Sequence, residues 1–178
     1  MESKCKENLL GMDRRPRKSN RGRAPREKSE YDQKLVEVKR VTRVVAGGKR
    51  MRFRALVVIG NRNGKVGMGL KKGANVSTSV EKAVNQAKKN IINLPLVGAS
   101  IPHEVNIKYK SSKIMLRPAK PGTGVIAGGA IRSVMELAGV KDIVSKMYGS
   151  NNKVNNVKAV FAAFKRLKNK EEMRALRK

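Results

Sequence analysis

Residues 122–127, GTGVIA, fit the permissive Gly-x-Gly-x-x-Ala pattern of a dinucleotide site. Asp142 follows about 20 residues later, where such a site places an acid on a ribose hydroxyl. Pro118 and Pro121 break the strand-to-helix turn that the pattern requires, and no full run of alternating strands and helices surrounds it. A phosphate loop is also missing, because Gly129 is followed by Ala130 and Ile131 where Lys and Ser or Thr would stand. Nucleophilic catalysis has little to build on. His103 is the only histidine and Cys5 the only cysteine, so any Ser-His or Cys-His dyad would have to use His103. His103, next to Pro102 at a strand start, reads as a structural hydrogen-bonding residue. Scattered carboxylates with one His and one Cys give no metal-ligand spacing, so neither metal nor cofactor is expected.

The remaining chemistry is cationic. The 178 residues include 42 Lys and Arg against 13 Asp and Glu, a formal charge of +29. A compact chain so charged repels itself unless a polyanion neutralises it, which points to nucleic acid. No apolar run approaches the roughly 20 residues of a membrane span. The first residues, MESKCKENLLGMDRRPRK, lack a secretory apolar stretch, and Glu2, Glu7 and Asp13 argue against a transit peptide. With a single cysteine, a cytoplasmic location is expected.

Three groups of residues suit RNA phosphates. Lys120 and Arg132 bracket the glycines Gly122, Gly124, Gly128 and Gly129, which let a backbone approach closely or serve turn geometry. Lys71 and Lys72 stand just before an expected helix N-terminus, where helix dipole and ammonium charge act together. Arg50, Arg52 and Arg54 alternate along a strand as a stripe of one sign. Arg62 and Lys65 extend this set along the following turn. Three Phe, three Tyr and no Trp are too few for base-stacking platforms, so recognition through backbone and shape is expected.

The elements that must hold these residues follow from periodicity. Residues 1–32 read as a basic disordered arm; 14–28 alone carry eight basic residues and one acid. Order is expected from about Leu35, with LVEVKRVTRVV as a strand and a flexible turn at 47–49. In MRFRALVVIG, Met51, Phe53, Ala55, Val57 and Ile59 share one face and the arginines the other, the pattern of a half-buried strand. NRNG at 61–64 turns the chain into KVGMGL. Val80, Ala83, Val84, Ala87 and Ile91 then predict a helix, with Thr78 and Glu81 spaced as its capping box. Pro95 and Gly98 suggest a domain boundary. Beyond it, strands are expected at 103–109, 113–118 and 142–148. Helices are expected at 129–138, stopped by Gly139, and after Asn155 as cap, with Val157, Val160, Phe161 and Phe164 inward. Val134, Leu137 and Val140 belong to an apolar second half expected to contact other proteins.

The three strands and helix ending in GMGLKK resemble a double-stranded-RNA-binding domain without its first helix. Together with SIPHEV, PGTGVIAGGAIRSVMELAGV, YGS and NNVKA, residues 33 to 165 are similar to the bacterial small-subunit ribosomal protein five family. That resemblance implies a cytoplasmic ribosomal protein bound to small-subunit ribosomal RNA, touching the fourth and eighth small-subunit proteins and influencing decoding accuracy. It implies that Arg40, with Arg43 and Lys49, meets messenger RNA where it enters the subunit. It also implies that the hairpin loop VVAGGK at 44–49 reaches toward the subunit head; Ala46 stands where a lysine is familiar. The second domain would contain a left-handed β-α-β crossover, against the usual rule. The arm is longer than is familiar and the C-terminal ending differs, so neither tail is assigned a role.

The fold expected is α+β in two domains. Residues 33–94 form a double-stranded-RNA-binding-like β-β-β-α unit and 95–165 an α/β sandwich of the ribosomal protein five type, with a basic tail at 166–178. The function expected is non-enzymatic: a structural constituent of the small subunit that binds ribosomal RNA through Arg40, Arg43, Lys49, Arg50, Arg52, Arg54, Arg62, Lys65, Lys71, Lys72, Lys120, Gly122, Gly124 and Arg132. An RNA-modifying or RNA-remodelling enzyme is the alternative, distinguished by a thermal shift with NAD or ATP. A DNA-compacting protein would bind duplex DNA and structured RNA equally.

Overall fold

β-branched and alternating residues between Asp32 and Gly73 pair into three antiparallel strands, β1 (Asp32–Val45), β2 (Gly48–Gly60) and β3 (Lys65–Gly73). The computed structural model describes residues 30–168. The expected arm with Cys5 therefore lies almost wholly outside the described residues, as does most of the basic tail. A two-residue turn at Ala46–Gly47 joins β1 to β2. At the NRNG turn, Gly64 takes φ +84°, and the Asn61 side-chain oxygen accepts from the Asn63 and Lys65 N–H groups at 2.9 and 3.1 Å.

Helix α1 (Val76–Lys89) follows, and then β4 (Ile91–Asn93), which adds a fourth strand beside β3. Ile91, counted in the helical stripe, opens β4 instead, because α1 ends at Lys89 and three residues carry no strand period of their own. The cap also differs from the Thr78–Glu81 box expected. Asn75 is the N-cap, and its backbone N–H donates to Thr78 Oγ1 at 3.3 Å, so the helix starts three residues earlier.

The second sheet has the order β5-β6-β8-β7, from β5 (Val105–Tyr109), β6 (Ser112–Pro118), β7 (Val125–Ile126) and β8 (Ile143–Gly149). β7 and β8 are parallel and joined through α2 (Gly129–Ala138), which Gly139 ends in the left-handed region at φ +86°. The last helix, α3 (Lys153–Arg166), is capped by Asn152, whose side-chain oxygen accepts from the Val154 N–H at 3.1 Å. Asn155 lies inside the helix, so the expected cap is corrected by three positions. Val157, Val160, Phe161 and Phe164 are buried as the helical stripe requires.

The two halves share one core. Ala55, Val57 and Ile59 of β2 pack on Ala83 and Ala87 of α1, while Leu56 and Val58 on the other face join Ile131, Val134 and Leu137. Residues 55–60 are thus buried on both faces, and the half-buried strand expected there is corrected: a helix covers one side and the second domain the other. Met51, assigned to the core face, is exposed because the hairpin outruns α1. Val134, Leu137 and Val140 are interior, so they are unavailable for contacts with other proteins. Backbone stitches the same junction, where the Arg62 N–H donates to Leu137 O at 3.0 Å and the Gly64 N–H to Ala138 O at 2.9 Å. A Cβ on Gly60 would overlap the Leu137 carbonyl, so glycine sets how closely the two backbones approach.

Candidate nucleic-acid interface

Strand register decides which cations can act together, because residues paired across strands project to the same face. Arg54 stands between Lys39 of β1 and Lys72 of β3, and Arg50 stands opposite Arg43. With Arg52, these make six cations on one face of the sheet, the face that deeper in the domain carries Leu56 and Val58. Like charges set directly opposite destabilise a sheet, so this patch is built at some cost to the isolated fold.

The register runs unbroken from Lys39 to Glu37, and the β1 irregularity comes only between Glu37 and Leu35, so alternation sets Glu37 opposite Leu56 on the cationic side. Its largely buried carboxylate lies 3.3 Å from Lys39 Nζ and 4.0 Å from Arg54 Nη2. The stripe is therefore not free of acids, as the sequence implied. Arg43, Arg50, Arg52 and Lys72 have no acidic partner among the described residues. Lys39 was missed as a member of the patch. Its alternation with Val41 and Arg43 was visible, but only the register sets it against Arg54.

The opposite, α1 side of the sheet carries Arg40 across from Phe53, Lys71 across from Ala55, and Lys49 across from Val44. Lys71 and Lys72 are exposed residues at the end of β3, a few positions ahead of the α1 cap Asn75 as expected. Strand alternation sends them to opposite faces, so only Lys71 lies on the helix side. Likewise Arg40 and Lys49 share one face while Arg43 takes the other, all three in the outer part of the hairpin.

The glycine loop is tied to the second sheet. Thr123 Oγ1 donates to Lys120 O at 2.7 Å, and Gly122 and Gly124 take φ +88° and +75° with open space where a Cβ would stand. Gly124 donates its N–H to Asp142 Oδ1 at 2.8 Å, and its carbonyl accepts from the Ile143 N–H at 3.1 Å. Asp142, the acid that the dinucleotide pattern needed, is buried and engaged in this structural bond.

Three of the candidate cations are already paired. Arg62 Nε lies 2.9 Å from Asp32 Oδ2, Arg132 Nε donates to Glu136 Oε1 at 2.8 Å, and Arg54 meets Glu37. The hydrogen bond from Lys34 and then that from Arg132 hold the Glu136 carboxyl below the ordinary carboxylate range, against a smaller opposing effect of burial. Lys65 and Lys120 are exposed, without an acidic partner among the described residues. His103 makes no hydrogen bond among the described residues, contrary to the structural role expected. No three metal-ligating side chains meet among the described residues, and no helix there is long and apolar enough to cross a membrane.

The arrangement can therefore grip a polyanion: several uncompensated cations on a rigid sheet, with a second cationic loop on the other domain. Comparison with known families gives two matches. Residues 31–95 match the model of the ribosomal protein S5 N-terminal domain, and residues 107–177 match that of the ribosomal protein S5 C-terminal domain.

Proposed function

This chain belongs to the ribosomal protein S5 family, and from its uncompensated cations we infer that the outer part of the β1–β2 hairpin and its β3 neighbour form the main grip on RNA. The protein is a structural constituent of the small ribosomal subunit that binds ribosomal RNA, in a family of structural, non-enzymatic proteins. The observation that carries the finer reading is the set Arg43, Arg50, Arg52 and Lys72, cations on one sheet face without acids of their own. Such a face neutralises phosphates without reading base edges, so selectivity comes from RNA shape.

Arg54 acts with them under partial restraint by Glu37. Lys120, Gly122, Gly124 and Arg132 form a second contact on the other domain, while Arg40, Lys49, Lys71, Arg62 and Lys65 serve the flanks. The same reading takes in the resemblance's finer implications: contact with messenger RNA by Arg40, Arg43 and Lys49, with the fourth and eighth small-subunit proteins as neighbours, in the cytoplasm. An interdomain core shared by both halves supports a role in decoding accuracy, since it fixes the distance between two RNA contacts. Filter binding of the full chain to small-subunit ribosomal RNA tests this. If about 6 to 10 phosphates are neutralised, affinity falls by roughly 10³ to 10⁵ between about 50 and 200 mM salt. A flat salt response, or equal affinity for duplex DNA, overturns it.

A further inference from the structure

A groove of about 580 Å³ runs between the β3–β4 edge of the first sheet and β5 with α3 of the second. Its floor is apolar, with Ile92 and Phe161 packed into the common core. Tyr109, half-buried, lines it with a ring, and Asn90 brings an amide with both donors and acceptor. Two lysines stand over it, Lys158 and Lys165, two turns apart on one face of α3. Neither has an acidic partner among the described residues; Lys158 is half-buried and Lys165 exposed. In the chain, Lys88 and Lys89 precede Asn90, and Arg166 and Lys168 follow Lys165.

We propose that this groove takes an unstacked RNA nucleotide, with its base against Tyr109 and the apolar floor, its edge toward Asn90 and the flanking phosphates on Lys158 and Lys165. The inference rests on the RNA-binding reading above and deepens it by adding a single-strand subsite to a backbone grip. An apolar floor alone would suit any apolar segment. A ring, an amide and two uncompensated cations in one groove suit a nucleotide, which presents a flat base between anionic groups. The size is also ordinary for a small-molecule-sized ligand.

The test uses the isotope-labelled full chain followed by NMR, titrated separately with a single-stranded RNA pentanucleotide and with an RNA duplex of about 16 base pairs. The pentanucleotide is expected to shift the amides of Asn90, Tyr109 and Lys158, and the duplex those of the β1–β2 hairpin. Lys158→Gln, which leaves the core untouched, is expected to weaken pentanucleotide binding at least about fivefold with duplex affinity unchanged. Tyr109→Leu should do the same, and Lys158→Gln decides the matter if that variant fails to fold. Pentanucleotide shifts confined to the hairpin, or equal weakening of both RNAs by Lys158→Gln, overturn the groove assignment alone. Groove shifts with an acidic apolar peptide but none with the pentanucleotide would give the groove to a protein partner and overturn it equally. Absence of any duplex response is a failure of the broader RNA reading instead.

Discussion

Lys34 Nζ donates to Glu136 Oε2 at 2.6 Å, joining residues 102 positions apart in the chain and linking β1 to α2. Glu136 uses its other oxygen for Arg132, so one carboxylate holds a cation from each domain. Because its pKa is lowered on folding, its contribution is complete above the ordinary carboxylate range and is lost as pH falls through the depressed folded value. The trio is solvent-exposed, so the contribution is small. Glu136→Gln is expected to lower unfolding free energy by less than about 1 kcal/mol at neutral pH, with the difference vanishing in strong acid. Urea unfolding of both proteins across that pH range checks it; a gap that widens in acid contradicts the assignment.

Gly139 carries a different part of the same junction. It lies at φ +86°, and a Cβ there would overlap the Arg62 carbonyl. Gly122 has almost the same φ, +88°, but faces open space. Gly139→Ala should therefore cost about 3 kcal/mol or more, adding displacement of packed backbone to conformational strain, whereas Gly122→Ala should cost only about 1 kcal/mol. Equal losses in denaturant unfolding would show that φ alone matters at both sites.

What could be read from the sequence was local. Gly139 stopped a helix at the expected residue, and the apolar stripe from Val157 to Phe164 pointed inward as its spacing required. Met51 shows where such reasoning ends: strand alternation assigns it a face correctly, but not the point at which α1 ceases to cover that face. Val134 and Leu137 show the same for surfaces, since an apolar helix face gives no sign of whether it meets another protein or the other half of its own chain. The cationic patch was half visible. Alternation gave Arg50, Arg52 and Arg54, and it also puts Glu37 on the face of Lys39, but which β1 residues stand beside Arg54 is set by the β1–β2 pairing.

Asp142 separates a structural acid from a cofactor acid. Buried itself, it accepts the Gly124 N–H, so Asp142→Ala leaves a partly buried donor unsatisfied and should cost about 1 kcal/mol. The glycine loop should loosen with it, seen as faster hydrogen exchange at Gly124 and Ile143. NAD is expected to leave the melting temperature of the parent protein unchanged. A dose-dependent rise that disappears in the Asp142 variant would reinstate the dinucleotide reading.

Arg43 and Arg50 face each other across β1 and β2 with no acid of their own, so folding and RNA binding make opposite demands on this pair. Arg50→Glu replaces a repulsive cross-strand pair by an attractive one, which should raise unfolding free energy by about 0.2 to 1 kcal/mol. The same change removes one phosphate contact and adds a repulsive charge, so RNA affinity should fall and the slope of log affinity against log salt should become shallower by about 1 or more. Arg50→Gln should lie between the two proteins on both measures. Thermal unfolding and salt-dependent filter binding, run on the same three proteins, decide it. A variant that loses stability and affinity together would mean that Arg50 supports the hairpin itself, and the sheet face would then no longer be the RNA grip.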